Sequence, residues 1–151
     1  MSNFFINQLK GFTAFIDNII GFLTGVGWGI GGFALLVGGF GIANIMFVSV
    51  KERTNLIGIQ KSLGAKNRFI MFQFLFEAVI LAVIGGLVGL FLVWMISVAM
   101  SQLTDSFEFV LSYGNMLIGF ALSTLIGLVS GVIPAFSASK LDPVEAIRTG
   151  M

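Results

Sequence analysis

Long apolar stretches dominate the chain and alternate with short polar segments. Residues 21–50 contain no charged side chain, residues 69–100 contain Glu77 as their single charged residue, and residues 113–137 contain none. A helix needs about 20 predominantly apolar residues to cross the hydrocarbon core of a bilayer. The pattern therefore predicts an all-α membrane protein with three transmembrane helices. The second span is long enough to tilt or to protrude from the bilayer.

Four shorter segments flank and connect these spans. Residues 1–20 are predicted to form a mildly amphipathic lead-in helix. Residues 51–68 and 101–112 connect the spans, and residues 138–151 form a tail.

The connecting segment 51–68 contains a helical pattern of its own. Leu56, Ile59 and Leu63 recur at the spacing of one helix face, and Gly64 follows as a predicted helix end. We therefore predict a short amphipathic helix. The residues alone leave three alternatives for its apolar face. It lies on the lipid surface, it docks in a groove of a partner protein, or the segment is a solvated loop whose basic residues only set topology.

The charged residues beside the spans predict an orientation. Residues 51–68 contain five basic residues and one acidic residue, and the tail adds two more basic residues, so that seven of the eight lie on one side. Residues 101–112 contain two acidic residues and no basic residue. The positive-inside rule places the basic side in the cytoplasm. We therefore expect an extracytoplasmic N-terminus, an extracytoplasmic loop at residues 101–112 and a cytoplasmic C-terminus.

Composition excludes several functional classes. The chain is 57% hydrophobic and only 10% charged, whereas soluble domains usually carry about 25% charged residues. It contains no Cys and no His, which removes thiol nucleophiles, Cys/His metal sites and the commonest general base. It also contains no Gly-x-x-x-x-Gly-Lys-Ser/Thr sequence, so we expect neither ATP hydrolysis nor a bound cofactor or metal. The net charge of +1 gives no indication of nucleic-acid binding.

Glycines four residues apart occur in the second and third spans. Gly85 and Gly89 form one pair, and Gly127 and Gly131 form another. Small residues at this spacing let two helix backbones approach closely. We predict that both pairs lie at interhelical contacts, although a chain with 20 glycines also produces such spacing by chance.

Glu77 lies inside the second span, near its basic end. A carboxylate in lipid is costly and is a functional candidate by default. Two roles are open: an ion pair or hydrogen bond of structural importance, with Lys51 or Arg53 as the partner, or a proton site coupled to transport. We favour the structural role.

The tail begins with a helix-start signal. Asp142 is a predicted N-cap, Pro143 suits the first helical turn, and Glu145 is placed to complete a capping box. We predict a short helix at this point, with structural capping as the main role of the two acidic residues.

A series of ordered motifs resembles one known family. The motifs are LLVGGFGIANIM at residues 35–46, VSVKERT at 48–54, IGI at 57–59, Lys61, LGA at 63–65, QFLFEA at 73–78, GG at 85–86, GVIPA at 131–135 and KLDPVEAIR at 140–148. This succession, over residues 33–90 and 127–149, resembles the permease half of MacB-type ABC transporters, the FtsX-like permease family.

The resemblance implies a mechanical role. Permeases of this family have a coupling helix in the loop between their second and third spans, and that helix docks on a nucleotide-binding subunit. By this resemblance, Thr54–Ala65 is the coupling segment, and residues 51–68 are the cytoplasmic coupling loop that contains it. The residues implied to couple to the ATPase are Arg53, Thr54, Leu56, Ile57, Gly58, Ile59, Lys61, Leu63, Gly64 and Ala65. Two positions depart from the family pattern, because Leu56 and Gln60 stand where many relatives have an acid and a base.

The resemblance also implies partners and a location. An ATPase subunit would bind ATP and Mg²⁺, and a second permease would form a homodimer or pseudo-dimer with this chain in the lipid of the bacterial inner membrane. Family permeases carry an acid at the position of Glu77 without being proton-driven, which favours its structural role.

We expect the permease part of an ABC transporter, coupling a partner's ATP hydrolysis to export or to extracytoplasmic mechanical work. One alternative is an FtsX-like regulatory subunit that signals to an extracytoplasmic hydrolase without transport. Another is an inactive fragment or a simple membrane scaffold. Family permeases have four spans, with a large extracytoplasmic domain between the first two. The resemblance covers the last three spans, so we expect a truncated permease, a split-gene product or an isolated domain.

Overall fold

The computed structural model describes the backbone of residues 2–103 and 112–148, with side chains for residues 8–102, 112–144 and 146. Within these ranges the chain folds into five helices and contains no strand. The helices are α1 (Ser2–Glu52), α2 (Thr54–Ser62), α3 (Asn67–Leu103), α4 (Tyr113–Ser139) and α5 (Pro143–Arg148).

Three helical segments are long and apolar enough to cross a membrane. They are Gln8–Glu52 in α1, Asn67–Gln102 in α3 and Tyr113–Ser139 in α4. Many large apolar side chains of these helices are exposed. Such a surface suits contact with lipid rather than water. The predicted all-α fold with three transmembrane helices is confirmed, and the chain is a multi-pass membrane protein.

Helix α1 begins well before the first predicted span. The lead-in and the span were predicted as separate segments, whereas α1 is one helix from Ser2 to Glu52. No proline interrupts these residues. Their many glycines weaken helix propensity by about 1 kcal/mol each. In lipid, however, the backbone has no water to bond instead, so the helix is retained.

The described chain forms two units, residues 2–36 and residues 37–148. In the first unit, which is the early part of α1, the described side chains are exposed except for the half-buried Leu35. The second unit contains the remainder of α1 and helices α2 to α5, and every contact described below lies within it.

The core of the second unit lies where α1 ends, α3 begins and α4 ends. Phe74, Met46, Ile70 and Pro134 are its largest completely buried side chains. One apolar cluster of buried residues unites these three helices with α2: Met46, Val50, Ile57, Ile70, Phe74, Ala78, Ala135 and Ala138. The best-packed part of the unit therefore lies at the end that carries the basic residues.

Helices α3 and α4 approach closely at one of the two predicted glycine pairs. A Cβ atom on Gly127 would collide with the Cβ of Ala82, and one on Gly131 would lie 2.5 Å from the Cβ of Ala78. Real Cβ atoms do not approach each other this closely, so the observed separation of the two helices requires glycine at both positions. The small side chains on both helices explain why the backbones can pack at this distance.

The packing role predicted for Gly85 and Gly89 has no counterpart among the described residues of this chain. A Cβ atom on either glycine would meet nothing within 4 Å. The neighbouring Gly86 is the close contact instead, because its Cβ would lie 2.5 Å from the Ser123 hydroxyl of α4. That hydroxyl donates a hydrogen bond to the Ala82 carbonyl at 2.8 Å. Within this chain the close contact of this part of α3 is therefore made by Gly86, and the interhelical contact predicted for Gly85 and Gly89 stays a prediction.

Candidate functional site at helix α2

Helix α2 is separated from α1 by a single residue. Arg53 has φ −98° and ψ 12°, and it is the N-cap of α2 without a side-chain cap. The Thr54 hydroxyl shares its hydrogen between two backbone carbonyls, that of Val50 at 3.0 Å and that of Lys51 at 2.9 Å. These bonds serve carbonyls that the end of α1 leaves without helical partners. The polar residues after the first span therefore produce a tight turn rather than a long loop.

The other end of α2 is closed by a glycine turn. Gly64 has φ +97°, and in the described chain it alone has a positive φ. The Ala65 amide donates to the Gln60 carbonyl, and the Gly64 amide donates to the Lys61 carbonyl, each at 3.0 Å. These two bonds define a Schellman motif, in which the left-handed residue is usually glycine. The helix end predicted at Gly64 is confirmed.

The face of α2 that points into the molecule differs from the apolar face noted in the sequence. Ile57 is 2% exposed and packs in the core, and Gly58 beside it is buried. Leu56, Ile59 and Leu63 are exposed, Leu63 to 85%. Helix α2 therefore has apolar residues on two sides and is not a simple amphipathic helix. Ile57 anchors the helix to the core, and the predicted stripe is left without a partner in the described chain.

The first charged contact attaches the start of α2 to α3. Arg53 Nη1 lies 3.4 Å from Glu77 Oε2. Of the two basic partners considered for Glu77, the structure contains the pair with Arg53.

The second charged contact attaches α2 to the end of α4. Lys61 Nζ donates to the Ser139 carbonyl at 2.6 Å and to the Leu141 carbonyl at 2.7 Å. The resemblance assigned Lys61 to the ATPase, but in this structure its ammonium lies against the chain itself. Sequence reasoning missed this contact because the acceptors are backbone atoms nearly eighty residues away.

Helix α5 packs against α2. Its start follows the predicted signal, because the Val144 amide donates to the Asp142 carboxylate at 2.9 Å. Within α5, Ala146 is buried, whereas Val144 is exposed. The side chain of Glu145, predicted to complete the capping box, lies outside the described side chains. Helices α2 and α5 therefore lie together in the second unit.

The site around α2 contains charged and apolar side chains on one short helix. Among the described residues, no group of three or more Asp, Glu, His or Cys side chains is placed to hold a metal ion. The site consists of a short helix with an exposed apolar stripe. Ile57 holds this helix to the core, Arg53 attaches it to α3, and Lys61 attaches it to α4.

Comparison with known proteins gives consistent matches. A family model described as FtsX-like permease C-terminal matches residues 28–143. The macrolide export ATP-binding/permease protein MacB of Agrobacterium fabrum is 47% identical over 114 residues, and its counterpart in Bordetella avium is 48% identical over 115 residues. The probable syringafactin export ATP-binding/permease protein SyfD of Pseudomonas syringae pv. syringae is 46% identical over 114 residues.

These alignments cover much of this chain but little of the relatives. Each covers 76% of the chain and 18% of the relative. The chain therefore spans less than a fifth of the length of these relatives.

Proposed function

The chain belongs to the FtsX-like permease family, and we propose that it is the membrane-spanning permease part of an ABC export system driven by ATP hydrolysis in a partner. The relatives support this proposal, since their names specify macrolide or syringafactin export and join ATP binding with permease. In this proposal the ATP-binding partner, on the same polypeptide or a separate one, holds ATP and Mg²⁺.

The exposed stripe of Leu56, Ile59 and Leu63 carries this proposal. Leu56 and Ile59 on this nine-residue helix, together with Leu63 at its C-cap, form a surface that suits a partner protein. Ile57, 2% exposed, holds the same helix against the core. A push on the stripe would therefore reach the spans directly. We infer that α2 is the element on which the ATP-binding partner docks.

We propose an orientation and a second copy within the same assembly. Helices α2 and α5 face the cytoplasm of a bacterial cell, and the N-terminus is outside the inner membrane, in line with the basic residues around α2. A second permease completes the transporter as a homodimer or pseudo-dimer. Gly85 and Gly89 are the contact that we assign to it, because both are exposed and a Cβ atom on either would meet nothing within 4 Å in the part of the chain that the structure describes.

The test places a charge on the stripe in the complete protein, including its ATP-binding part, in lipid vesicles. Ile59→Asp buries an unpaired carboxylate when the partner docks, and we expect export coupled to ATP hydrolysis to fall about tenfold or more. Asn55→Asp is the matched control, because it adds the same charge at an exposed position of α2 outside the stripe. Equal coupled export by the two variants would exclude docking on α2.

A further inference from the structure

The C-terminus of α4 cannot satisfy its own backbone. A helix leaves its last four carbonyl groups without helical partners. Three of these four carbonyls accept hydrogen bonds from residues close to them in the sequence. The Phe136 carbonyl accepts from the Ser139 hydroxyl at 2.8 Å. The Ser137 carbonyl accepts from the Lys140 amide at 3.2 Å, and the Ala138 carbonyl accepts from the Leu141 amide at 3.4 Å. The fourth, the carbonyl of Ser139, accepts from Lys61 of α2 at 2.6 Å.

The Lys61 ammonium also serves the chain just beyond α4. It donates to the Leu141 carbonyl at 2.7 Å, so that a single cation bonds the last residue of the helix and the linker to α5. A cation at a helix C-terminus is favoured by the helix dipole, and an ammonium group has three donors to distribute. Ser139 is 4% exposed, so water is a poor substitute for Lys61 at its carbonyl.

Helix α2 is thereby attached to two different spans. Arg53, at its start, pairs with Glu77 of α3. Lys61, in its last turn, bonds the end of α4. The exposed stripe lies on the same helix, with Leu56 and Ile59 between these two attachments. A displacement of α2 by a partner would therefore act on both spans.

We propose that Lys61 is a positioning residue that clamps α2 to the end of α4, so that α2, the last turn of α4 and α5 move as one body. This inference rests on the proposed function for its purpose, but the clamp itself is an intramolecular contact. Without the clamp, α2 still docks on the ATP-binding partner, and less of its movement reaches the end of α4.

This chain contains no cysteine, so introduced cysteines can measure the clamp once any cysteines in the ATP-binding part have been replaced. Spin labels on Asn55→Cys in α2 and Ser137→Cys in α4, both at exposed positions, report the distance between the two helices. The measurement uses the complete protein in lipid vesicles, with and without ATP. We expect one narrow distance distribution in both states, because the two helices move together.

Lys61→Met removes the donor and keeps most of the apolar stem. We expect a separated α2–α4 population that rises by about tenfold or more, as for lost hydrogen bonds to a charged group. Lys61→Arg, which keeps charge and donors, should restore the narrow distribution. Lys66→Met is the matched control, since it removes a basic residue from the same segment at an exposed position. An unchanged distribution in Lys61→Met would overturn the clamp.

The outcomes separate the clamp from the proposed function. If Lys61→Met broadens the distribution while Ile59→Asp leaves coupled export intact, the clamp is upheld and docking on α2 is wrong. If Ile59→Asp abolishes coupled export while Lys61→Met leaves the distances unchanged, docking is upheld and the clamp is wrong. Should Lys61→Met fail to fold, a bifunctional thiol linker joining Lys61→Cys to Leu141→Cys replaces the contact covalently. Recovery of coupled export upon linking supports the clamp, and no recovery overturns it.

Discussion

Glu77 of α3 and Arg53 at the start of α2 form an ion pair, with 3.4 Å between Oε2 and Nη1. The side chains remain 32% and 48% exposed, respectively. The pair joins a helix that begins inside the predicted cytoplasmic segment to a carboxylate within an apolar span. A structural role for Glu77 therefore has a specific partner, and a role as a proton carrier is not needed to explain its presence.

We predict a small energetic role for this pair. In a double-mutant cycle of Glu77→Gln and Arg53→Met, the coupling energy should be about 0.2–1 kcal/mol, because the pair lies near the basic end of the span, both side chains are partly exposed, and ion pairs at such positions are weak. Chemical unfolding of the purified protein in detergent measures it. Glu77→Gln should also leave the pH dependence of coupled export unchanged. Loss of export in Glu77→Gln, with unfolding unaffected, would instead identify a transport-coupled proton site.

Local signals in the sequence predicted the ends of the short helices. Gly64 and Asp142 act through bonds to residues within a few positions, so the sequence around them contains the necessary information. The burial of Ile57 was not predictable in this way. A pattern of apolar residues shows that a helix has a face but does not show which other helix covers it.

Contacts between distant segments were the least predictable part of the site. Lys61 bonds backbone carbonyls, and any residue type supplies a carbonyl, so nothing in the sequence marks the acceptors. The same holds for Gly86, whose neighbour Ser123 is fixed only by the rotation of α4 against α3. Hydropathy gives the three spans, and their relative rotation comes from packing.

The left-handed turn at Gly64 predicts an order among three variants. A non-glycine residue in the left-handed region costs about 1–2 kcal/mol, so Gly64→Ala should destabilise the end of α2. Asn tolerates this region better than most residues, and Gly64→Asn should be milder. Hydrogen exchange of the Gln60-bonded Ala65 amide measures the effect. Equal protection in Gly64→Ala and in the unmodified protein would contradict the turn.

The four glycines of the two predicted pairs should respond in opposite ways to alanine. Gly127→Ala and Gly131→Ala insert a methyl group where Ala82 and Ala78 already lie, and overpacking typically costs about 1–3 kcal/mol. Gly85→Ala and Gly89→Ala meet open space, and each should gain about 0.5–1 kcal/mol from helix propensity. Thermal unfolding of the single variants in detergent tests this contrast.

The Gly85 and Gly89 variants also test the proposed permease dimer. If Gly85→Ala or Gly89→Ala preserves the stability of the single chain but lowers coupled export and self-association, the glycines contact a second copy. If both variants associate and export as the unmodified protein does, the contact that we assign to Gly85 and Gly89 is wrong.

The predicted orientation can be read from two single cysteines in this cysteine-free chain. Asn67→Cys lies at the start of α3, beside α2, and Ser112→Cys lies just before α4; both positions are exposed. With the basic residues around α2 in the cytoplasm, an impermeant maleimide added to intact cells should label Ser112→Cys and leave Asn67→Cys unmodified. Neither substitution changes the charges that set topology.

Lysed cells, in which both sites should react, provide the control for reactivity. Labelling of Asn67→Cys alone in intact cells would invert the orientation and place α2 on the side away from any cytoplasmic ATP-binding partner.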